Sequence, residues 1–381
     1  MRIVYVTDSL AICGGIERVL TDKMNYLSND YGYDVVLMTL YQGPHKFPFT
    51  LTGGIEHFDI NVRFNEQYEY RGLSRFFKRW KIKRIIKCRL ASAMTELKPD
   101  VLVCIKYEFA DLLCSTRGNI PLIVESHTLC NAEKIEETSF FRKMHMWMVK
   151  KRIQDADAVI ALTGGDANNW RRINSNVYVI PNVVYLNKKT SFSTCQSKSV
   201  IFVGRLSKQK NIGSLLNIWE KVYLLYPDWE LHIFGEKGDV ENQVFDRLLM
   251  AKDMGVVIHK PVRNKMLDEY KKHSILVLTS LFEPFGLVIP EAMSCGLPVV
   301  SYDSPYGPSS IISDGKDGFL VPNSNEDLFV ERLCQLMTDE QLRQEMSKNA
   351  VVSSRRYESG IIMPLWKKLF EDIIIKNPKH C

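Results

Sequence analysis

Four side chains in the second half of the chain carry types and spacings that could do chemistry: Arg205, Lys210, Glu283 and Glu291. Arg205 and Lys210 lie in the run GRLSKQKN, which follows an apolar β-like segment and leads into a helix-like one. Such a pair sets two cations at a strand's C-terminal end, the guanidinium as a fork and the ammonium as a point charge, which suits a diphosphate. A solvated basic turn is the plainer alternative. The two acids lie in SLFEPFGLVIPEAMSCGLPVV. Pro284, Gly286 and Pro290 forbid a helix before about Val288, since each disrupts a helix interior but suits a loop or first turn. Gly296 and Pro298 then mark the helix end. Glu283 is therefore predicted in a strand-to-helix loop and Glu291 in the first helical turn. Free amides and the positive end of the helix dipole face that loop and favour an anion. Two carboxylates there cannot bind phosphate; they can accept hydrogen bonds from sugar or ribose hydroxyls while the backbone takes the phosphate. The plainer alternative makes Glu291 a dipole-compensating residue and Glu283 an exposed loop acid.

These residues need a scaffold of strand ends. Short apolar runs alternate with helix-length segments, the pattern of βα units on parallel sheets. Strands are predicted at 3–7, 34–40, 101–105, 122–125, 158–161 and 177–180, then at 199–203, 230–234, 256–259, 275–279, 299–302 and 318–321. Helices include 212–226 and 242–254, and an amphipathic tail at 364–375. A chain of 381 residues exceeds what one hydrophobic core usually supports. We expect an α/β protein of two doubly wound domains, with ligand at the C-terminal ends of the strands. The domains are set at 1–187 and 199–358, with a linker at 188–198 and a C-terminal helix at 359–381.

The Glu-x7-Glu pattern enclosing Pro-Phe-Gly, together with Arg205 and Lys210, resembles the signature of retaining glycosyltransferases of family 4, which have the GT-B fold. The likeness is strong over 201–322 and weaker before it. It implies two Rossmann-like domains flanking a cleft, a nucleotide-sugar donor on the second domain, and an acceptor on the first. By this resemblance Arg205 and Lys210 hold the diphosphate, Glu283 accepts from sugar hydroxyls beside the amides of Phe285, Gly286 and Leu287, and Glu291 holds the ribose. Gly235 and Val262 end strands that border the nucleobase. Gly15, in Gly14-Gly15 after the first strand, borders the diphosphate and acceptor. His127, just past a strand end, meets the donor sugar. The C-terminal helix crosses back onto the first domain. No cofactor and no metal are expected: Asp155-Ala156-Asp157 looks like a D-x-D metal motif, but it ends a helix and opens a strand, and reads as structural.

Charge is uneven. Residues 1–190 hold 27 Lys/Arg against 20 Asp/Glu, and the rest 23 against 24, within a net +6. Residues 71–90, RGLSRFFKRWKIKRIIKCRL, carry nine Lys/Arg and no acid. Helical projection separates Leu73, Phe76, Phe77 and Trp80 from Ile82, Ile86 and Leu90, the latter running on to Met94 and Leu97. One face can dock on the domain. The other leaves aromatics among cations, Lys78 and Arg79 included, as on a helix lying at an anionic membrane surface. A basic helix with both faces buried is the alternative. No nucleic-acid motif accompanies the charge.

No run approaches the roughly 18 apolar residues of a membrane span, and the N-terminus enters a strand directly, unlike a signal peptide. Nine cysteines without a C-x-x-C pair suit reduced thiols, not a zinc or disulfide framework. A cytoplasmic protein at the inner face of the membrane is expected. Its predicted activity is metal-independent retaining transfer of a hexose or N-acetylhexosamine, from a UDP sugar to a glycan or lipid-linked acceptor, in bacterial surface-polysaccharide assembly. GDP-mannose is the alternative donor; a same-fold epimerase or a non-catalytic binding protein are the alternative classes. Absence of G-x-G-x-x-G weighs against a dehydrogenase.

Overall fold

Apolar runs too short for helices make parallel strands, and the segments between them make the covering helices. In a computed structural model the chain forms two units, residues 1–183 with 360–381, and residues 184–359. The structure describes residues 1–132, 140–184, 186, 191–259 and 265–377, and of residues 65, 67, 68, 73 and 140–142 the backbone alone.

The first unit holds seven strands: β1 (Arg2–Thr7), β2 (Asp34–Thr39), β3 (Glu56–Asp59), β4 (Val101–Cys104), β5 (Leu122–Glu125), β6 (Ala158–Ala161) and β7 (Val177–Val179). Their order is 3-2-1-4-5-6-7, every pair parallel. The second holds β8 (Ser199–Val203), β9 (Glu230–Phe234), β10 (Val256–His259), β11 (Ile275–Leu278), β12 (Val299–Tyr302) and β13 (Gly318–Val321) in the order 10-9-8-11-12-13. Both are doubly wound sheets whose strand order reverses beside the first strand, between β1 and β4 and between β8 and β11. Loops leaving the C-terminal ends there splay apart and open a crevice. Strands such as β11, Ile-Leu-Val-Leu, are buried on both faces, so they read as continuous apolar runs. β3, Glu-His-Phe-Asp, escapes sequence reading because an edge strand needs no such run.

Six helices matter below: α1 (Gly15–Asn29), α2 (Gly72–Leu97), α3 (Phe140–Ile153), α4 (Ile212–Leu225), α5 (Val288–Ser294) and α6 (Ser359–Lys376). α5 begins at Val288, as the prolines and Gly286 require, and Gly296 beyond it takes φ +88°, where glycine meets no Cβ penalty. α6 starts at Ser359, the first residue set for the C-terminal helix and five residues before the amphipathic stretch at 364–375. Pro364 lies inside it and gives up a main-chain bond; burial of Ile362, Met363 and Trp366 in the first unit's core offsets that loss. On α2, Ile82, Ile86, Leu90, Met94 and Leu97 are buried while Phe76, Phe77 and Trp80 are exposed, matching the two faces projected from sequence. The side chain of Leu73 lies outside the described residues. No described helix is long and apolar enough to cross a membrane.

Candidate functional site

The second unit's candidate site grows from the two loops at its switch point. The loop after β8 carries Lys210 and the loop after β11 carries Glu283. Main-chain and side-chain bonds tie the loops together: Leu281 N donates to Gln209 O (2.9 Å), Gln209 Nε2 to Phe282 O (2.9 Å), and Thr279 Oγ1 to Lys210 O (3.0 Å). Asn211 then caps α4, its side chain accepting from Ser214 N. The result brings Lys210 Nζ onto Glu283 Oε2 in a direct ion pair, with Ser280 Oγ 3.3 Å from the same oxygen. Glu283 is buried, its backbone held by Pro305 O and by Gly307 N. Arg205, on the same loop as Lys210, is exposed and makes no ion pair among the described residues. Glu291 sits in the first turn of α5, buried, with Tyr270 Oη 3.3 Å from its Oε2.

Glycines let these loops approach one another. A Cβ at Gly235 would meet Gly204 O at 2.0 Å, and one at Gly307 would meet Phe285 O at 2.2 Å. Gly286 takes φ +86°. Its amide and those of Phe285 and Leu287 precede the first residue of α5, where no earlier helical turn offers an acceptor. Phe285 itself is a core side chain, edge-on to Tyr357 at 5.4 Å. Val262 lies outside the described residues.

The first unit gathers a second group at the ends of β1, β4 and β5. Gly15 opens α1 directly after the capping Gly14. Lys106, past β4, pairs with Asp8, past β1, at 2.5 Å. Burial raises the Glu17 carboxyl above its usual range, opposed by the charges of Lys106 and His127 nearby. His127 follows β5 in a turn closed by Ser126, whose N donates to Ile160 O and whose Oγ donates to Thr128 O. The imidazole is buried, and Nε2 lies 3.1 Å from Glu125 Oε1, an ion-pair contact without hydrogen-bond alignment. The other oxygen of Glu125 pairs directly with Lys23 of α1, a lysine only 1% exposed. Burial alone would raise Glu125, but Lys23 and His127 on its two sides hold it at about 2. Burial draws Lys23 below the ordinary lysine range, and Glu125 opposes that shift. A cavity of about 1090 Å³ opens in this unit, lined by Asp8, Lys106, Arg75, Arg79, Lys83 and His145 among others.

In the D-x-D pair, Asp157 pairs with Arg117 and accepts from Leu122 N (2.8 Å), and Asp155 lies 3.9 Å from Arg152. Lys78 is tied to Glu66 at 2.9 Å, so it offers less free charge to a surface than its sequence implies. Sequence reading missed Lys23 and Glu125. The only signal was a lysine at an inward position of α1 and an acid closing an apolar strand, and neither names its partner. It also missed Thr279 and Gln209, whose part depends on two loops meeting.

The sequence model described as "Glycosyl transferases group 1" matches residues 187–352, and that described as "Glycosyltransferase Family 4" matches residues 13–188. The chain belongs to the family 4, group 1 glycosyltransferases. It is a transferase of the GT-B fold. Among its relatives, the amylovoran biosynthesis glycosyltransferase AmsD of Erwinia amylovora is 26% identical over 379 residues, covering 97% of this chain and 99% of the relative. Among solved structures, a variant of TarM from S. aureus superposes with TM-score 0.77 at 16% identity, covering 97% of this chain and 99% of that one. HepE of Anabaena superposes with TM-score 0.74 at 17% identity over 97% of this chain and 100% of that one. At these identities the two structures share the fold with this glycosyltransferase.

Proposed function

We propose that this glycosyltransferase moves a hexose or N-acetylhexosamine from a UDP sugar to a glycan or lipid-linked acceptor in bacterial polysaccharide assembly, with retention at the anomeric carbon and without a metal. The observation that carries this reading is the Lys210–Glu283 pair at the switch point of the second sheet. One loop presents a cation to a diphosphate and the other a carboxylate to sugar hydroxyls, side by side. AmsD is named for amylovoran biosynthesis, the TarM variant was crystallised with UDP and HepE with UDP-glucose, which supports the donor and pathway class.

In this reading the departing diphosphate gathers charge as the glycosidic bond breaks. Arg205, Lys210 and the amides of Phe285, Gly286 and Leu287 meet that charge with fixed dipoles and cations, so no metal is needed to neutralise it. Glu283 accepts from the sugar hydroxyls and Glu291 from the ribose, with Gly235 at the base. The acceptor proton passes to the leaving phosphate oxygen. In the first unit, Gly15 borders the diphosphate and His127 meets the sugar, while the cavity beside Lys106 takes the acceptor. The exposed aromatics Phe76, Phe77 and Trp80, with Arg79 and Lys78, rest on the anionic inner face of the membrane.

Thermal shift with UDP-glucose, UDP-N-acetylglucosamine and GDP-mannose, each with and without EDTA, tests the donor. A UDP sugar raises the melting temperature by mass action, EDTA leaves the shift and the turnover unchanged, and Lys210→Ala lowers turnover by about a hundredfold or more. A shift with GDP-mannose alone replaces the donor, and turnover lost to EDTA overturns metal independence.

A further inference from the structure

Lys23 is an oddity in its element. α1 buries Val19, Leu20, Met24 and Leu27 against the first sheet, and a lysine takes an equivalent inward place among them. A buried ammonium is expensive unless paired, and replacing such a pair with apolar residues is often neutral or stabilising. Three groups surround this one: Glu125 in direct contact, the Trp366 ring centroid 4.0 Å from Nζ, and that of Tyr5 at 5.3 Å. Tyr5 Oη finds no hydrogen-bond partner among the described residues, so the tyrosine serves Lys23 by its ring face alone. The far oxygen of Glu125 faces His127 Nε2. Lys23, Glu125 and His127 thus form one buried line, from the floor of α1 to the strand end where His127 stands.

We propose that Glu125 and Lys23 are positioning residues for His127: Glu125 fixes which ring nitrogen faces inward, leaving Nδ1 to meet a hydroxyl, and Lys23 under Trp366 fixes Glu125. The inference rests on the reading of His127 as a donor contact only for its catalytic consequence. The geometry stands apart from that reading.

The test therefore uses two readouts on the full chain. Lys23→Met alone leaves a buried carboxylate uncompensated and destabilises the fold, so the informative variants are Glu125→Gln and the double replacement Lys23→Met with Glu125→Leu. Long-range nitrogen–proton spectra of histidine-labelled protein, with His127 assigned by its loss in His127→Gln, report the protonated nitrogen. Wild type shows Nε2–H, and both variants lose that preference although the double variant melts at or above the wild-type temperature. UDP release from UDP-glucose or UDP-N-acetylglucosamine, whichever wild type turns over, then falls in kcat about tenfold or more with KM little changed, as expected when the carboxylate facing the imidazole no longer orients it. An unchanged His127 signal in both variants overturns the proposal whatever the turnover. A changed signal with turnover equal to wild type in His127→Gln upholds the positioning and refutes the donor contact instead.

Discussion

At the scale of single residues, burial decides which charges the fold tolerates. His273 is buried behind β8 with its Nδ1 2.9 Å from Ser199 Oγ. It packs against His232 (ring centroids 4.6 Å apart) and edge-on to Phe234, and His232 in turn bonds His259 at 2.8 Å and Glu230 at 2.9 Å. Burial first, then the charges of His232, His259 and Lys272, lowers His273 to about 3. The unfolded chain takes up this proton near pH 6.5, whereas the folded chain does so only near pH 3. The unfolded state therefore binds more protons across that window, and stability contributed by neutral His273 is lost as the pH falls through it. His273→Asn, which keeps a polar atom for Ser199, should flatten the dependence of melting temperature on pH between 6.5 and 3. Parallel pH profiles for wild type and variant would dismiss this account.

At the scale of elements, α2 buries one stripe and leaves the other exposed. Its inner stripe belongs to the first unit's core, and its outer stripe leaves Phe76, Phe77 and Trp80 each more than half exposed. A neighbouring cation lies over one of these rings, with Arg84 5.7 Å from the Trp80 centroid. α3 adds exposed Trp147, Met144 and Met148, and Lys83 of α2 lines one cavity with Trp147 and Met148. In the membrane contact proposed above, ring faces enter the headgroup boundary while lysines and arginines meet anionic lipid. Replacing Phe76, Phe77 and Trp80 together by Ser should release the protein from vesicles containing phosphatidylglycerol while leaving its melting temperature within a few degrees, because the rings contribute little to the core. Sedimentation with vesicles reads this directly. Binding unchanged by the triple replacement would remove the membrane from the proposal.

At the scale of the whole molecule, the last helix is part of the first unit's core. α6 buries Ile362, Met363, Trp366, Leu369, Phe370 and Ile373 against Ile3, Tyr5, Leu20 and Met24. Trp366 also roofs Lys23, so its loss removes both packing and the aromatic face over a buried cation. Trp366→Ala should destabilise the first unit by about 3–5 kcal/mol, the usual loss for a large aromatic in a core. Limited proteolysis would show it as early cleavage within residues 1–183, with fragments of the second unit, residues 184–359, surviving longer. Equal resistance of both units would mean that α6 is dispensable.

The sequence by itself determined the alternation of strands and helices, the point at which α5 begins, and the two faces of α2. Each follows from local rules: parallel strands buried on both sides are continuously apolar, prolines bar helix interiors, and a stripe repeats every turn. Arg205, Lys210, Glu283 and Glu291 could be singled out as candidates because charged residues at strand ends and helix starts stand out against apolar runs and because their pattern resembles that of the family. What only the tertiary structure decided were pairings across long separations. That Lys210 meets Glu283, that Thr279 and Gln209 lock their loops, and that Lys23, Glu125 and Trp366 converge behind His127 depends on strand order and on a helix returning from the chain's end. A β3 edge without an apolar run was hidden for the same reason, since its place is set by its neighbour β2 and not by its own residues. Local periodicity reports which face of an element is buried; only the folded chain supplies the partner that a buried charge must have.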